Sequence, residues 1–117
     1  LHARGGGQIA PGETFIIPTG IMVEIPDGYE GQVRGRSSLA GFGLACHLGT
    51  IDSDYRGEVG VILTHASHDG RTRGIADGDR IAQLVIAPVA RCEVIEVAAA
   101  DLTPTVRGAG GFGSTGT

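Results

Sequence analysis

The sequence predicts an all-β domain, and three observations support that prediction. Glycine accounts for 21 of the 117 residues and is spread along the chain instead of forming one linker. Proline stands beside turn-forming residues, as in Pro11-Gly12 and Pro26-Asp27-Gly28, so the chain turns often and its strands are short. No stretch keeps a helical period of apolar residues over three turns. Several short strands separated by turns favour a sandwich, barrel or jelly roll, because each of these buries one face of every strand.

The predicted strands are β-rich runs that lie between the turn signals. In chain order they are Thr14 to Ile17, Gly20 to Ile25, Gly31 to Arg36, Glu58 to Thr64, Arg80 to Ile86 and Cys92 to Val97. The composition changes at Arg107, after which closely spaced glycines leave too few side chains to pack a strand. We therefore expect one β domain, residues 1–106, followed by a mobile C-terminal arm, residues 107–117.

Length, charge and cysteine content limit the class of protein. A chain of 117 residues has the size of one ordinary domain. Its formal charge of -4 argues against nucleic acid or an anionic membrane as a partner. No apolar run reaches the ~20 residues that a membrane span requires. Cys46 and Cys92 lack the spacing of a zinc site or a disulfide framework. We expect a cytoplasmic protein with reduced thiols.

The segment 49–58 places carboxylates, an aromatic ring and a guanidinium group in a turn between apolar strands. These groups belong to Asp52, Asp54, Tyr55 and Arg56. Such a hairpin tip can face a ligand. The alternative is that Asp52 and Asp54 only shape the turn through hydrogen bonds to the backbone, as Asp does in most loops.

Other polar segments suit the binding of phosphate, although each has a simpler interpretation. Arg36, Ser37 and Ser38 supply a forked cation and hydroxyls, but they also resemble the N-terminal cap of a helical turn. Gln83 interrupts an apolar strand, where a buried amide needs hydrogen-bond partners. The glycine-rich tail from Arg107 lacks the Lys of a P-loop, so it is either an arm that closes over a ligand or a disordered terminus.

The histidines and two aromatic residues receive structural interpretations. His47, His65 and His68 show no metal-ligand spacing, and we expect them to be surface or turn residues. Tyr29 and Phe42 are expected to serve packing. None of these side chains is therefore a predicted ligand-binding group.

Taken in order, these segments resemble the trimeric dUTPase family almost from end to end. The segment 36–40 is similar to the second motif of the family, and Gly49 to Glu58 is similar to the third. Gly78 to Leu84 and Arg107 to Gly116 are similar to the fourth and fifth motifs. The resemblance implies a jelly-roll-like β fold that hydrolyses dUTP to dUMP and pyrophosphate. It also implies a homotrimer whose active sites are each built from all three subunits.

The resemblance also implies a role for each matching residue at the sugar and the phosphates. Asp52 would deprotonate the water that attacks the α-phosphorus and would bind the 3′-hydroxyl, and Tyr55 would exclude ribose. Phosphate binding is implied for a larger set: Arg36, Ser37, Ser38, Gln83, Arg107, Gly113, Ser114 and Thr115. Mg²⁺ would arrive on the triphosphate and spread its charge.

Uracil recognition is implied mainly for backbone groups. Those near Cys46, Thr50 and Ile51 would read the edge of the base, and the ring of Phe112 would stack over it. The first motif is incomplete at Leu1, since the metal-supporting Asp of the family would stand just before that residue. We therefore expect no metal ligand within this sequence.

Departures from the family pattern keep two alternatives open. Ser38 and Cys46 stand where dUTPases usually have Gly and Asn. The run from Gly35 to Ala40 resembles the related dCTP deaminases more closely still, but the Arg and the catalytic Glu of those enzymes are replaced here by Gly41 and Ile62. The other alternative is a dUTPase-like binding protein with impaired catalysis.

Overall fold

A computed structural model describes residues 1–111 of the chain. Its strands are β1 (Gly7–Ile9), β2 (Thr14–Met22), β3 (Tyr29–Arg34), β4 (Leu44–Cys46), β5 (Gly49–Ile51), β6 (Glu58–His65), β7 (Arg73–Ile75) and β8 (Gln83–Pro88). A single turn of helix, α1 (Ser37–Gly41), and a 3₁₀ turn at Ala99–Asp101 accompany them. The predicted all-β class is confirmed. Among the described residues, no helix is long and apolar enough to span a membrane.

The strands form small antiparallel sheets. Strands β2, β6 and β4 make one sheet in that order, β5, β3 and β8 make a second, and β1 pairs with β7. Between β3 and β5, Gly31 lies opposite Ile51. Between β3 and β8, Arg34 lies opposite Gln83. Strand β3 is thus the central strand of the second sheet, and its ends fix the positions of two candidate motifs.

The core is built around β6. Val59, Val61 and Leu63 are fully buried, and the residues between them are more exposed, as expected for a strand with one face turned inward. Val33 and Ile51 from the second sheet belong to the same buried cluster. The apolar packing of the two sheets therefore fixes the strand ends, where the candidate site residues lie.

His65 contradicts its expected position at the surface. It is the last residue of β6 and has no exposed surface, and neither ring nitrogen has a hydrogen-bond partner within residues 1–111. The reason is strand alternation, because position 65 continues the inward series of Val59, Val61 and Leu63. The expected packing of Tyr29 and Phe42 is also wrong for the single chain, in which they are 46% and 62% exposed.

The strand predicted from Cys92 to Val97 is absent from the described residues. After Pro88 the chain forms an extension, residues 89–111, whose only regular element is the 3₁₀ turn. Val94 and Ile95 within it are 89% and 70% exposed. A β-rich sequence forms a strand only where a neighbouring strand offers hydrogen bonds, and the described part of the chain offers none here. The prediction is wrong for the isolated chain for that reason.

Candidate active site

The turn that follows β5 carries the acidic residues. Ile51 is buried and holds the end of β5, whereas Asp52 is exposed at the start of the turn. The Tyr55 backbone N–H donates to the carbonyl oxygen of Asp52 at 3.1 Å and closes the turn. Within residues 1–111, neither the Asp52 nor the Asp54 carboxylate accepts a hydrogen bond. Hydrogen bonds to these carboxylates therefore do not explain the turn, and both carboxylates remain available to a ligand.

Other side chains hold this turn in one conformation. The hydroxyl of Tyr55 donates to the carbonyl oxygen of Glu58 at 2.9 Å, and the side chain remains 42% exposed. Nη1 of Arg56 donates to the carbonyl oxygens of Ser53, at 2.7 Å, and Tyr55, at 2.9 Å. These hydrogen bonds therefore hold the Tyr55 ring in one position within the turn, three residues after Asp52 in the sequence.

A second group of polar residues surrounds Gly35. Nη1 of Arg36 donates to the carbonyl oxygen of Arg80 at 2.7 Å. Nε2 of Gln83 donates to the carbonyl oxygen of Gly35 at 3.4 Å. Gln83 is exposed, so its expected burial is wrong, because it starts β8 at the edge of the sheet instead of lying within it. The structure thus brings the second and fourth motif segments together.

Ser37 and Ser38 occupy the first positions of α1, and both are exposed. The cap residue of this helix is Arg36, which makes no side-chain capping hydrogen bond. The interpretation of Arg36, Ser37 and Ser38 as a capping segment is therefore not supported, since neither serine is the cap. The hydroxyls lie beside Arg36 and can serve an anion instead.

Arg80 is a candidate residue that the sequence interpretation did not select. It borders a cavity of about 420 Å³ together with Arg36 and Arg73. Arg73 is already paired, since its Nη2 lies 2.5 Å from the Asp69 carboxylate and its Nε donates to the carbonyl oxygen of Phe42 at 2.8 Å. Arg80 has no such carboxylate partner within residues 1–111. Its position in the fourth motif segment, beside the selected Gln83, was the signal that could have identified it.

The pairing of Arg73 with Asp69 contributes to a lowered pKa of the Asp69 carboxyl group. The backbone N–H of Arg71 and the guanidinium group of Arg73 hold the pKa of Asp69 below its ordinary value. Arg73 thus contributes little uncompensated charge to the cavity. Asp79 also lines the cavity, and its carboxylate accepts a hydrogen bond from the Ala76 backbone N–H at 2.8 Å. Arg36 and Arg80 are the groups that can hold an anion there.

The candidate base-reading segment links the two larger sheets. Strand β4 ends at Cys46 and β5 begins at Gly49, so only His47 and Leu48 connect them. The His47 backbone N–H donates to the carbonyl oxygen of Ile62 at 2.9 Å, and its ring Nε2 lies 2.7 Å from Thr64 Oγ1. These contacts fix the connection to β6. Thr50 is exposed in β5, opposite Gln32 of β3.

Cys46 lies directly against the second motif segment. A Cβ atom placed on Gly35 would lie 3.0 Å from the Cys46 Cβ, so glycine at position 35 allows this close approach. Partial burial raises the pKa of the Cys46 thiol. Gly35 is thus the point where the base-reading segment, Arg36 and Gln83 converge.

Asp52 and Arg36 are not brought together within one chain. Gly31 pairs with Ile51 at the end of the β3–β5 ladder, so one residue further along Asp52 lies on the side of Glu30, and Arg36 follows Glu30 by six residues. At about 3.3 Å per residue, this places them on the order of 20 Å apart along the strand. They also border separate cavities, of about 530 Å³ at Asp52 and about 420 Å³ at Arg36. One described chain therefore holds the parts of the predicted site in two places.

The remaining predicted residues belong to the segment 107–117, which the sequence predicts to be an arm. Nε of Arg107 donates to the carbonyl oxygen of Gly110 at 2.7 Å. Phe112, Gly113, Ser114 and Thr115 lie outside the described residues. Residues 1–111 contain no group of three or more His, Cys, Asp or Glu side chains placed to hold a metal ion.

Comparisons with known proteins agree with the family resemblance of the sequence. The family model described as dUTPase matches residues 1–116. A deoxyuridine 5′-triphosphate nucleotidohydrolase from Anaeromyxobacter sp. (strain Fw109-5) is 57% identical over 119 residues, covering 99% of this chain and 78% of the relative.

Two solved structures show the likeness of fold. The Staphylococcus bacteriophage 80alpha dUTPase with dUPNHPP has a TM-score of 0.88 and 28% identity, covering 100% of this chain and 84% of the other. A mutant dUTPase from phage phi11 of S. aureus, whose description names a structural Mg(II) ion, has a TM-score of 0.74 and 27% identity. That match covers 83% of this chain and 80% of the other.

Proposed function

The chain belongs to the dUTPase family and hydrolyses dUTP to dUMP and pyrophosphate, and we propose that Asp52 is the base that activates the attacking water. The observation that carries this role is the Asp52 carboxylate, exposed and without a hydrogen-bond partner among residues 1–111, at the start of a closed turn. A base must be free to take a proton from water. Asp54 is equally free, and its matched substitution is therefore the control for Asp52.

The proposed reaction is an attack by water on the α-phosphorus. The water oxygen bonds to phosphorus while its proton passes to the Asp52 carboxylate. The bond from the α-phosphorus to the oxygen that bridges it to the β-phosphorus breaks, and pyrophosphate leaves with the electron pair. Cations around the phosphates stabilise the developing charge.

The sugar and the base are assigned to the segments on either side of β5. Tyr55 packs against C2′ of the deoxyribose and leaves no room for a 2′-hydroxyl. Backbone groups near Cys46, Thr50 and Ile51 read uracil, supported by the contacts that fix this connection to β6. Phe112 of the arm covers the base.

The phosphates are assigned to the cationic cavity and the arm. Arg36, Arg80 and Gln83 are supported by their common position around Gly35 and the cavity of about 420 Å³. The exposed hydroxyls of Ser37 and Ser38 lie beside Arg36. Residues 107–117 form the closing arm in this proposal, in which Arg107, Gly113, Ser114 and Thr115 contact the terminal phosphates.

Mg²⁺ is proposed to reach the site on the triphosphate. The donor set of residues 1–111 does not suit a metal centre built from protein ligands alone, because it contains no group of three or more candidate ligands. Mg²⁺ prefers phosphate and water oxygens, and on the nucleotide it neutralises phosphate charge. In this arrangement, the protein contacts described above are made to the nucleotide and not to the metal ion.

We further propose a homotrimer, supported by the apolar surface that one chain leaves open. Ile16 and Met22 on β2 are 70% and 71% exposed, and Val94 in the extension is 89% exposed. The radius of gyration is 19.3 Å, compared with about 13 Å for a compact domain of this size. Val89 and Arg91 bond to Gly28 and Asp27 of the same chain, but residues 92–109 are all exposed and are free to dock on a neighbouring subunit.

The separation of Asp52 from Arg36 supports active sites shared between subunits. Each group lies at one end of the same strand pair, on the order of 20 Å apart within the chain. The α-phosphate of one bound nucleoside triphosphate cannot contact both Asp52 and Arg36 of a single chain. We propose that Asp52 of one subunit faces Arg36 of another. Because the substrate belongs to the intracellular nucleotide pool, we also propose a cytoplasmic location.

A panel of nucleotides tests the proposed function. With Mg²⁺, the protein should release pyrophosphate from dUTP and leave dCTP, dTTP and UTP nearly untouched. Ammonia is measured in the same reactions. Ammonia from dCTP would assign a deaminase instead, and binding of dUTP without turnover would assign a catalytically impaired binding protein.

A further inference from the structure

Gly57 lies beneath the ring of Tyr55. A Cβ atom built on Gly57 would lie 2.5 Å from Cζ and 2.9 Å from Cε2 of that ring, and it would also clash with the hydroxyl oxygen. Carbon atoms in van der Waals contact are about 3.5–4.0 Å apart. The side chain of any residue other than glycine would therefore displace the Tyr55 ring.

The backbone conformation does not by itself demand glycine at this position. The φ angle of Gly57 lies outside the left-handed region that favours glycine, in contrast to Gly12 and Gly28, both at 83°. The Tyr55 side chain supplies all three of the atoms that a Cβ would approach most closely. Steric space for the ring is therefore what glycine provides at position 57.

We propose that Gly57 is a positioning residue that sets the rejection of ribonucleotides through Tyr55. The inference rests on the proposed function, in which the Tyr55 ring excludes a 2′-hydroxyl. With glycine at position 57, the ring folds back against the turn and its hydroxyl donates to the carbonyl oxygen of Glu58 at 2.9 Å. Tyr55 remains 42% exposed, and the exposed part of its ring forms the wall of the sugar site. An added methyl group lifts the ring, breaks this hydrogen bond and moves the wall.

The test compares Gly57→Ala with the wild-type protein in the ratio of kcat/KM for dUTP to that for UTP. We expect the ratio to fall ~10-fold or more, because the wall no longer stands where a 2′-hydroxyl would clash. Gly7→Ala is the matched control, since a Cβ on Gly7 meets no atom within 4 Å and its φ is also outside the left-handed region. An unchanged ratio in Gly57→Ala, with a wild-type enzyme that prefers dUTP, would overturn the proposal. A wild-type enzyme without dUTP turnover would instead refute the proposed function.

A double-mutant cycle shows whether Gly57 acts through Tyr55. In the Tyr55→Ala background, Gly57→Ala should change the ratio by less than ~2-fold, because the ring that it displaces is gone. If Gly57→Ala lowered the ratio as much without the Tyr55 ring as with it, the proposal would be contradicted. Should Gly57→Ala alone fail to fold, the double variant must fold, and its failure to do so would also contradict the steric argument.

A spectroscopic measurement reports the ring without catalysis. Tyr29 and Tyr55 are the only tyrosines of the sequence, so 3-fluorotyrosine in a Tyr29→Phe variant labels Tyr55 alone. Without nucleotide, the ¹⁹F resonance should shift on Gly57→Ala and stay in place on Gly7→Ala. A resonance that does not move on Gly57→Ala would show that the ring is not positioned by that glycine.

Discussion

Nε2 of the His47 ring lies 2.7 Å from the hydroxyl oxygen of Thr64, and this contact ties the connection between the two larger sheets to β6. The same hydroxyl lies 2.7 Å from Thr14 Oγ1 on β2. The segment proposed to read uracil is thus held by a series of side-chain hydrogen bonds as well as by the backbone. Its stiffness should therefore be sensitive to a change at Thr64.

Thr64→Val removes the hydroxyl that holds His47 while keeping the shape of the side chain. The substitution also removes the contact with Thr14. Loss of one hydrogen bond costs about 1 kcal/mol, so we expect the loss of the His47 contact to raise KM for dUTP ~5-fold with kcat nearly unchanged. Steady-state kinetics measure both. Thr14→Val is the control, because it leaves the contact between His47 and Thr64 in place and should change KM less than ~2-fold. Equal effects of the two variants would contradict a specific role for the His47 contact.

Asp52→Asn should abolish most turnover while preserving binding of a non-hydrolysable dUTP analogue. The amide keeps the size of the carboxylate but cannot accept a proton from water, so kcat should fall by ~10² or more. Single-turnover hydrolysis and calorimetric binding separate the two effects. Asp54→Asn removes an equally exposed carboxylate from the same turn and should do far less. Similar losses from both substitutions would indicate a structural role for the acidic turn.

Mixing two inactive variants tests the shared active site. One variant carries Asp52→Asn, and the other ends before Arg107. After subunit exchange by partial denaturation and refolding, some mixed trimers should place an intact Asp52 beneath an intact arm, and activity should return. Each variant alone, treated identically, is the control. Continued inactivity, with mixed trimers confirmed by mass, would refute the shared site and leave the family assignment unaffected.

Partial burial protects the thiol of Cys46. Its pKa is raised in the folded protein, so the folded state favours the neutral thiol. This contribution to stability is complete below the ordinary thiol pKa and is lost as the pH rises through the raised value. In a Cys92→Ser variant, alkylation of Cys46 at a mildly alkaline pH should be slower in the native protein than in urea. Rates of mass increase measure this difference, and equal rates would contradict the burial of Cys46.

The sequence predicted the longer strands β2, β3, β6 and β8, in whole or in part, because the strand pattern is local. The three-residue strands β1, β4, β5 and β7 were not among the predicted runs. The run from Glu58 to Thr64 alternates between faces, and the structure extends it by one residue to His65. The same alternation could have placed His65 inside, but its place next to a loop favoured a surface interpretation. The strand predicted from Cys92 to Val97 failed because pairing depends on a partner strand, which local sequence cannot supply.

The candidate site was predictable in composition but not in arrangement. Asp52 and Tyr55 stand in a turn that their neighbours in sequence define. The distance from Asp52 to Arg36 depends instead on the register of β3 and β5, which is a long-range property. Likewise, the position of Gly57 beneath Tyr55 follows from how the ring folds back, and the cationic role of Arg80 follows from the cavity that it shares with Arg36.

The extension after Pro88 has a genetic consequence in the proposed trimer. A substitution in residues 89–111 of one polypeptide would weaken the docking of its extension and displace the arm that continues it, and so would alter an active site whose Asp52 belongs to another polypeptide. In a cell that carries two alleles, a defective copy would then enter trimers with normal copies and lower their activity. A variant with a damaged extension would thus behave as a dominant negative allele. A deletion that prevented synthesis of the chain would leave the normal trimers intact.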